Sequence, residues 1–283
     1  MGMKNMVQIN GKSKERLRIV VITGDELRHQ YFRMKIASDP RIEVLASYCE
    51  NQDMEDVKNS TSNREISPLV KKHFDARTKS EIEFFKESVK VLRDESNPRK
   101  ILRGTINDDY IVAEIENLDA DLLVCYGSSL IKSTLLNTYK RRFLNVHLGL
   151  SPYYRGSGTN VWPLINCEPE LVGATFMHLD EGIDTGEIIH QIRAEIFNGD
   201  SPHSIGNRLI KKMTETCCDV ILSFSELKVQ VQPKLKGKLY FVKDFDLEAC
   251  FKLYTNFEEG LISKYIEDLG RINLPPIVEN QGL

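Results

Sequence analysis

No hydrophobic run in this chain reaches the roughly 18 residues that a membrane helix requires, so no membrane-spanning helix is expected and the chain should be soluble. Basic residues are not in excess: 38 Lys and Arg face 41 Asp and Glu, a formal net charge of −3. A strongly basic nucleic-acid surface is thereby excluded for the molecule as a whole, although a local patch for tRNA would not show in the total. The six cysteines, Cys49, Cys125, Cys167, Cys217, Cys218 and Cys250, contain no Cys-x-x-Cys spacing. A disulfide framework or zinc site is not expected, and reduced core thiols in a cytoplasmic protein are. The first 16 residues carry several Lys and Arg but no apolar core, so they read as a flexible leader and not as a signal peptide.

Against these absences stands an ordered alternation of apolar runs and helical periods. LRIVVITG at 17–24 is a continuous apolar run ending in Gly, as a central parallel strand buried on both faces would be. Leu27, Tyr31, Met34 and Ile36 then recur at helical intervals, and IEVLASYCE reads as a second strand. Residues 51–98 are polar and charged, with a loop at Asn59 to Asn63 and a helix over 81–92, where Ile82, Phe85, Val89 and Leu92 recur at three and four. From Arg103 the pattern predicts a short strand, a helix across Asp109 to Glu116, a strand DLLVCYG, a strand at Phe143 to Leu148, two more strands after Glu170 and a long helix from about Ser204 to Leu227. The fold class is α/β, a Rossmann-like doubly wound and mostly parallel sheet over 17–230. A small α+β extension follows over 231–283, with one strand in GKLYFVKDF and two helices; it is expected to cap the first domain or mediate a homodimer.

Asn145 and His147 lie two apart on the Phe143 run, so an extended chain sends both side chains from one face. The run stops at Gly149, near the carboxyl end of a strand, where ligands bind in open α/β sheets. Asp184 follows in GIDTGE, a glycine-bracketed turn able to carry a carboxylate back towards them. An amide, an imidazole and a carboxylate suit acyl transfer from a carbonyl donor to an amine, with Asn145 and His147 stabilising the developing oxyanion and Asp184 assisting proton removal. No Ser or Cys nucleophile is needed if the amine attacks directly.

These residues, with LSPYYRG at 150–156, HLDEGIDTGEII at 178–189 and DLLVCYGSSLIKSTLL at 121–136, resemble the folate-dependent formyltransferases over roughly residues 17 to 228. The resemblance puts Asn145, His147 and Asp184 on that family's catalytic positions and implies the formyltransferase fold. It implies 10-formyltetrahydrofolate as co-substrate, held by Tyr126, Gly127, Ser128 and Leu130 and by the loop containing Asp180, Thr185 and Gly186. Its members include enzymes acting on methionyl-tRNA, glycinamide ribonucleotide and nucleotide-linked amino sugars.

Where the chain departs from that family, the acceptor narrows. TGDELRHQYF at 23–32 holds a single glycine where the ribonucleotide enzymes carry a glycine-rich phosphate cradle. Arg28 and His29 either contact a phosphate with their side chains or lie on a solvated first turn. Arg155 either binds the acceptor or clamps its loop, Tyr153 and Tyr154 are candidates to stack on a base or sugar, and Trp162 is expected in the core. His178 either orients Asp184 or is structural. The favoured acceptor is the amine of a small metabolite, in particular a nucleotide-linked amino sugar. The other readings are a methionyl-tRNA or glycinamide ribonucleotide enzyme and a non-catalytic folate-binding subunit.

Overall fold

The computed structural model describes residues 7–9, 12–14, 16–51, 67–235, 237–281 and 283. Its strands are β1 (Val7–Ile9), β2 (Lys12–Lys14), β3 (Leu17–Gly24), β4 (Ile42–Asn51), β5 (Pro98–Leu102), β6 (Leu122–Tyr126), β7 (Phe143–His147), β8 (Tyr154–Gly156), β9 (Gly173–His178), β10 (Ile188–Arg193) and β11 (Lys238–Tyr240). The helices are α1 (Leu27–Ala37), α2 (Pro68–Val91), α3 (Asp109–Asn117), α4 (Ser133–Thr138), α5 (Trp162–Ile165), α6 (Pro202–Ser223), α7 (Leu247–Glu258) and α8 (Leu261–Asp268). Seven strands form one sheet in the order β10-β9-β7-β6-β3-β4-β5. The five strands from β7 to β5 are parallel neighbours, whereas β9 pairs antiparallel with both β7 and β10.

Alternation along the central strands divides the core between two faces. Ile19 and Val21 of β3 pack with Phe32 and Ile36 of α1, Phe85 of α2 and Leu209 and Met213 of α6. Val20 and Ile22 point the other way, towards Ile111 and Ile115 of α3 and Leu135 of α4. Burial on both faces explains why β3 and β6 read as unbroken apolar runs. Five of the cysteines are buried and Cys167 is exposed, so the expectation of core thiols fails at that one position.

Three expectations shift, and one falls on residues that are not described. The helix expected over 81–92 is the last half of α2, which begins at Pro68; the buried residues ahead of Phe85 are the polar His73, Ser80 and Glu81, a set with no 3.6-residue apolar signature. The strand expected after Arg103 lies ahead of it, at Pro98–Leu102, on an edge where proline at the first position costs no ladder bond. In the leader, Val7–Ile9 and Lys12–Lys14 pair antiparallel, so those residues are strand rather than frayed chain. The loop expected at Asn59 to Asn63 lies outside the described residues.

Residues 237–281 pack onto the α/β unit. β11 adds to β8 in parallel, Tyr240 stacks on Trp162 with ring centroids 4.0 Å apart and 9° between planes, and Asn256 of α7 donates to the carbonyls of Leu164 and Ile165. Beyond α8 the chain runs along the edge of β10. Gln191 N donates to Val278 O at 2.7 Å, and Gln191 Oε1 accepts from Val278 N at 2.9 Å. The same side chain donates through Nε2 to Ser151 O and Thr175 Oγ1, and it is 1% exposed. Gln191→Ala would strand buried donors and acceptors, and should lower unfolding free energy by about 2–4 kcal/mol in urea denaturation. A loss under about 0.5 kcal/mol would show that the contact is incidental.

Candidate active site

Asn145 and His147 leave β7 on the face opposite Leu144 and Val146, whose side chains pack into the core beside α1 and α6. The β9–β10 loop folds back over that face. Its turn is tied by Asp180, which accepts from Gly182 N and from Thr185 Oγ1, and Gly186 passes so close to the carbonyl of His178 that a Cβ would sit 1.8 Å from it. Asp184 adopts φ +53°, a left-handed conformation uncommon for a residue with a side chain, and Gln232 holds it there by donating to the carbonyls of Asp184 and Gly186.

The Asp184 carboxylate then meets three groups. Oδ1 accepts from Asn145 Nδ2 at 3.0 Å, while Oδ2 accepts from Gly156 N at 2.8 Å and lies 3.3 Å from His147 Nδ1. On the far side of the ring, His147 Nε2 is 3.1 Å from the Tyr154 carbonyl and 3.4 Å from Thr159 Oγ1. Gly149 makes room for this ring: a Cβ there would lie 2.5 Å from His147 Nε2. Asn145 Oδ1 accepts from Cys125 Sγ at 3.4 Å, a thiol whose pKa burial raises to about 12. The second hydrogen on Asn145 Nδ2 has no protein acceptor among the described residues, and Asn145 lines a cavity of about 910 Å³.

Tyr126, Gly127, Ser128 and Leu130 line the cavity beside the trio, as do Asp180 and Arg28. Tyr126 Oη is buried with no partner, and burial pushes that phenol up to about 12. Thr185 and Gly186 do not line the cavity; they shape the loop behind Asp184. Tyr153 lies away from it too, donating from its hydroxyl to Pro276 O at 2.9 Å. Tyr154 is 1% exposed with its hydroxyl on Glu168, so it has no free face for stacking on a ligand. Arg155 is also absent from the lining, its Nε buried without a partner. His178 pairs with Leu144, on the face of the sheet opposite Asn145, and its ring packs edge-on against Phe224, so it does not orient Asp184. Trp162 is core, as expected.

At the start of α1 the missing glycine-rich cradle is replaced by a closed charge network. Arg28 Nη1 donates to Glu81 Oε1 at 2.7 Å and Nη2 lies 3.4 Å from Glu26. His29 Nδ1 donates to Glu26 Oε2 at 2.5 Å, and its ring fills the crevice between Gly24 and Gly127, at the carboxyl ends of β3 and β6. Burial lowers the pKa of His29 against the pull of Glu26. Neither Arg28 nor His29 is left free to bind a phosphate in this arrangement.

Sequence reasoning missed a further part of the cavity lining. His73 and Arg77 of α2, His203 and Asn207 of α6, Tyr240 of β11 and Phe241 just beyond it all line the cavity. Only α6 had a readable cue, the Ser201–Ser204 capping box that sets His203 in the first turn. The His73 and His203 rings lie 4.7 Å apart, and His203 Nε2 is buried without a partner.

An open α/β sheet carrying this cavity beside the carboxyl end of its central strands has counterparts among known proteins. Residues 17–221 match the family model described as Formyl transferase, and the chain belongs to that family. It is similar to a methionyl-tRNA formyltransferase of Geobacter metallireducens, 29% identical over 62% of this chain and 53% of the relative. One from Alkaliphilus oremlandii is 38% identical over 38% of this chain and 34% of the relative. The chain thus spans about half or less of the length of these curated relatives. Among solved structures, a 4-N formyltransferase from Francisella tularensis has a similar fold, with a TM-score of 0.55 and 22% identity over 84% of this chain and 86% of that one. A glycinamide ribonucleotide transformylase from Symbiobacterium toebii gives 0.52 and 14% over 77% and 95%.

Burial sets the His73 and His203 pKa values down to about 4, below the usual imidazole value of 6.5. Because the folded pKa is the lower one, the unfolded chain takes up these protons first, so their contribution is intact above about pH 6.5 and falls progressively towards pH 4. Urea unfolding at pH 7 and pH 5 should show a loss of a few kcal/mol in the wild type that shrinks in His73→Gln/His203→Gln. An equal pH response in both proteins would contradict it.

Proposed function

We propose that this protein is an N-formyltransferase that uses 10-formyltetrahydrofolate and formylates the amine of a small metabolite, a nucleotide-linked amino sugar. The carrying observation is the Asp184 carboxylate held at once by Asn145, His147 and Gly156 on the cavity wall. The residues present fit the donor: Tyr126 offers a buried, unpartnered hydroxyl beside the cavity, and Gly127, at φ +68°, brings backbone to its surface without a side chain. When bound, the donor supplies a formyl group on a nitrogen that leaves with a proton.

Asn145 has one Nδ2 hydrogen anchored on Asp184 and one free for the oxygen that becomes negative as the amine attacks. The Asp184 carboxylate that orients this amide is itself held by Gly156 N, and its backbone by Gln232, so the donor is preorganised. His147 carries the proton from the attacking nitrogen towards the leaving one, with Asp184 on Nδ1 supporting the charged ring. For Nε2 to reach the reacting atoms, it must exchange the Tyr154 carbonyl for them.

A cavity of about 910 Å³ falls in the range of small-molecule sites, and the closed network around Arg28 and His29 disfavours an acceptor whose phosphate sits at α1. The methionyl-tRNA relatives support a second reading, which requires tRNA affinity that falls steeply with salt. Incubation with 10-formyltetrahydrofolate and a panel of amino-sugar nucleotides, glycinamide ribonucleotide and charged tRNA should add a formyl mass to an amino-sugar nucleotide. His147→Ala and Asp184→Asn are expected to slow that transfer by about 10²–10⁴-fold with unchanged circular dichroism. Turnover retained in both variants would sink the assignment of the trio, and formylation of the tRNA alone would replace the acceptor.

A further inference from the structure

The segment from Gly127 to Lys132 has neither helix nor strand structure, yet it forms a wall of the cavity beside Asn145. Two side chains from a different part of the chain fix its backbone. Glu50, next to last in β4 and 3% exposed, accepts from Ser129 N at 2.5 Å through Oε2 and from Ser129 Oγ at 2.6 Å through Oε1. Its Oε1 also accepts from Gly104 N at 2.9 Å, tying in the turn that follows β5. Asn107 grips the other end, donating from Nδ2 to Leu130 O at 2.9 Å and accepting from Lys132 N at 2.7 Å. Between the two clamps, the Leu130 side chain is 60% exposed and lines the cavity.

We infer that Glu50 is a positioning residue for the folate donor, setting through Ser129 the conformation in which the 127–130 backbone and Leu130 meet it. The inference rests on the reading of this segment as the donor's wall. A carboxylate is the group this position needs. Each of its oxygens accepts, and all three neighbours donate, so an amide would set its own N–H₂ against Ser129 N–H or against Gly104 N–H. Asn107 differs in kind: its partners are one carbonyl and one N–H, which an amide matches in a single orientation. Glu50 touches neither Asn145, His147 nor Asp184, so its loss acts on donor binding and not on proton movement.

Calorimetry with tetrahydrofolate as the probe, joined to initial rates with 10-formyltetrahydrofolate, tests this. Glu50→Gln should weaken tetrahydrofolate binding and raise the donor KM by about tenfold or more, with kcat at saturating donor and the acceptor KM within about twofold of wild type. Asn107→Ala, at the exposed clamp and free of core burial, should raise the donor KM by a few-fold with the same split, and it keeps the test open if Glu50→Gln folds poorly. Unchanged tetrahydrofolate affinity in both variants, with wild type binding normally, would overturn the role of Glu50 alone. A fall in kcat with the donor KM unmoved would also overturn it. Absence of tetrahydrofolate binding by the wild type would overturn the donor reading itself and this role with it.

Discussion

One carboxylate ties the molecule's parts together. Asp184 reaches from the β9–β10 loop to Asn145 and His147 on β7 and to the backbone of Gly156 in β8. β8 is in turn the strand on which the extension's β11 pairs, and Gln232 of the extension holds the Asp184 backbone from behind. A partly buried anion with three protein contacts on separate elements is costly to displace, since each freed donor would be left without a partner. The left-handed backbone at Asp184 is therefore maintained by its surroundings rather than by its own preference.

Around that anion the cavity lining combines two chemically distinct kinds of surface. The wall formed by Tyr126 to Leu130 is mostly backbone and short side chains, shaped by clamps from Glu50 and Asn107. The rest of the lining includes charged and aromatic side chains from the start of α1, from α2 and α6 and from the extension, in which Arg28, Glu26 and Glu81 largely satisfy one another. The extension joins the lining through Tyr240 and Phe241, and Tyr240 is locked by its stack on Trp162.

Much of the fold was readable. Continuous apolar runs gave β3, β4, β6 and β7 nearly residue by residue, and the spacing of Leu27, Tyr31 and Met34 gave α1. Elements whose contacts are polar were misjudged: α2 meets its neighbours through His73, Ser80 and Glu81 as much as through Phe85, and β5 is an edge strand with every other residue exposed. Tyr153 and Arg155 sit in the right motif but point away from the cavity, because the turn around them faces Pro276 and the core.

By itself the sequence determined the alternation of strands and helices and the identity of the trio, since hydrophobic periodicity and two-residue strand spacing are local properties of the chain. Family membership also rests on it, through motifs spread over residues 17–221. Only the tertiary structure decided what faces the trio. His73, Arg77, His203 and Tyr240 come from three distant segments, and no local pattern records that they share a wall. Nor could sequence tell that Arg28 is consumed by Glu81, 53 positions away, because the partner of a charge is set by which elements the fold packs together.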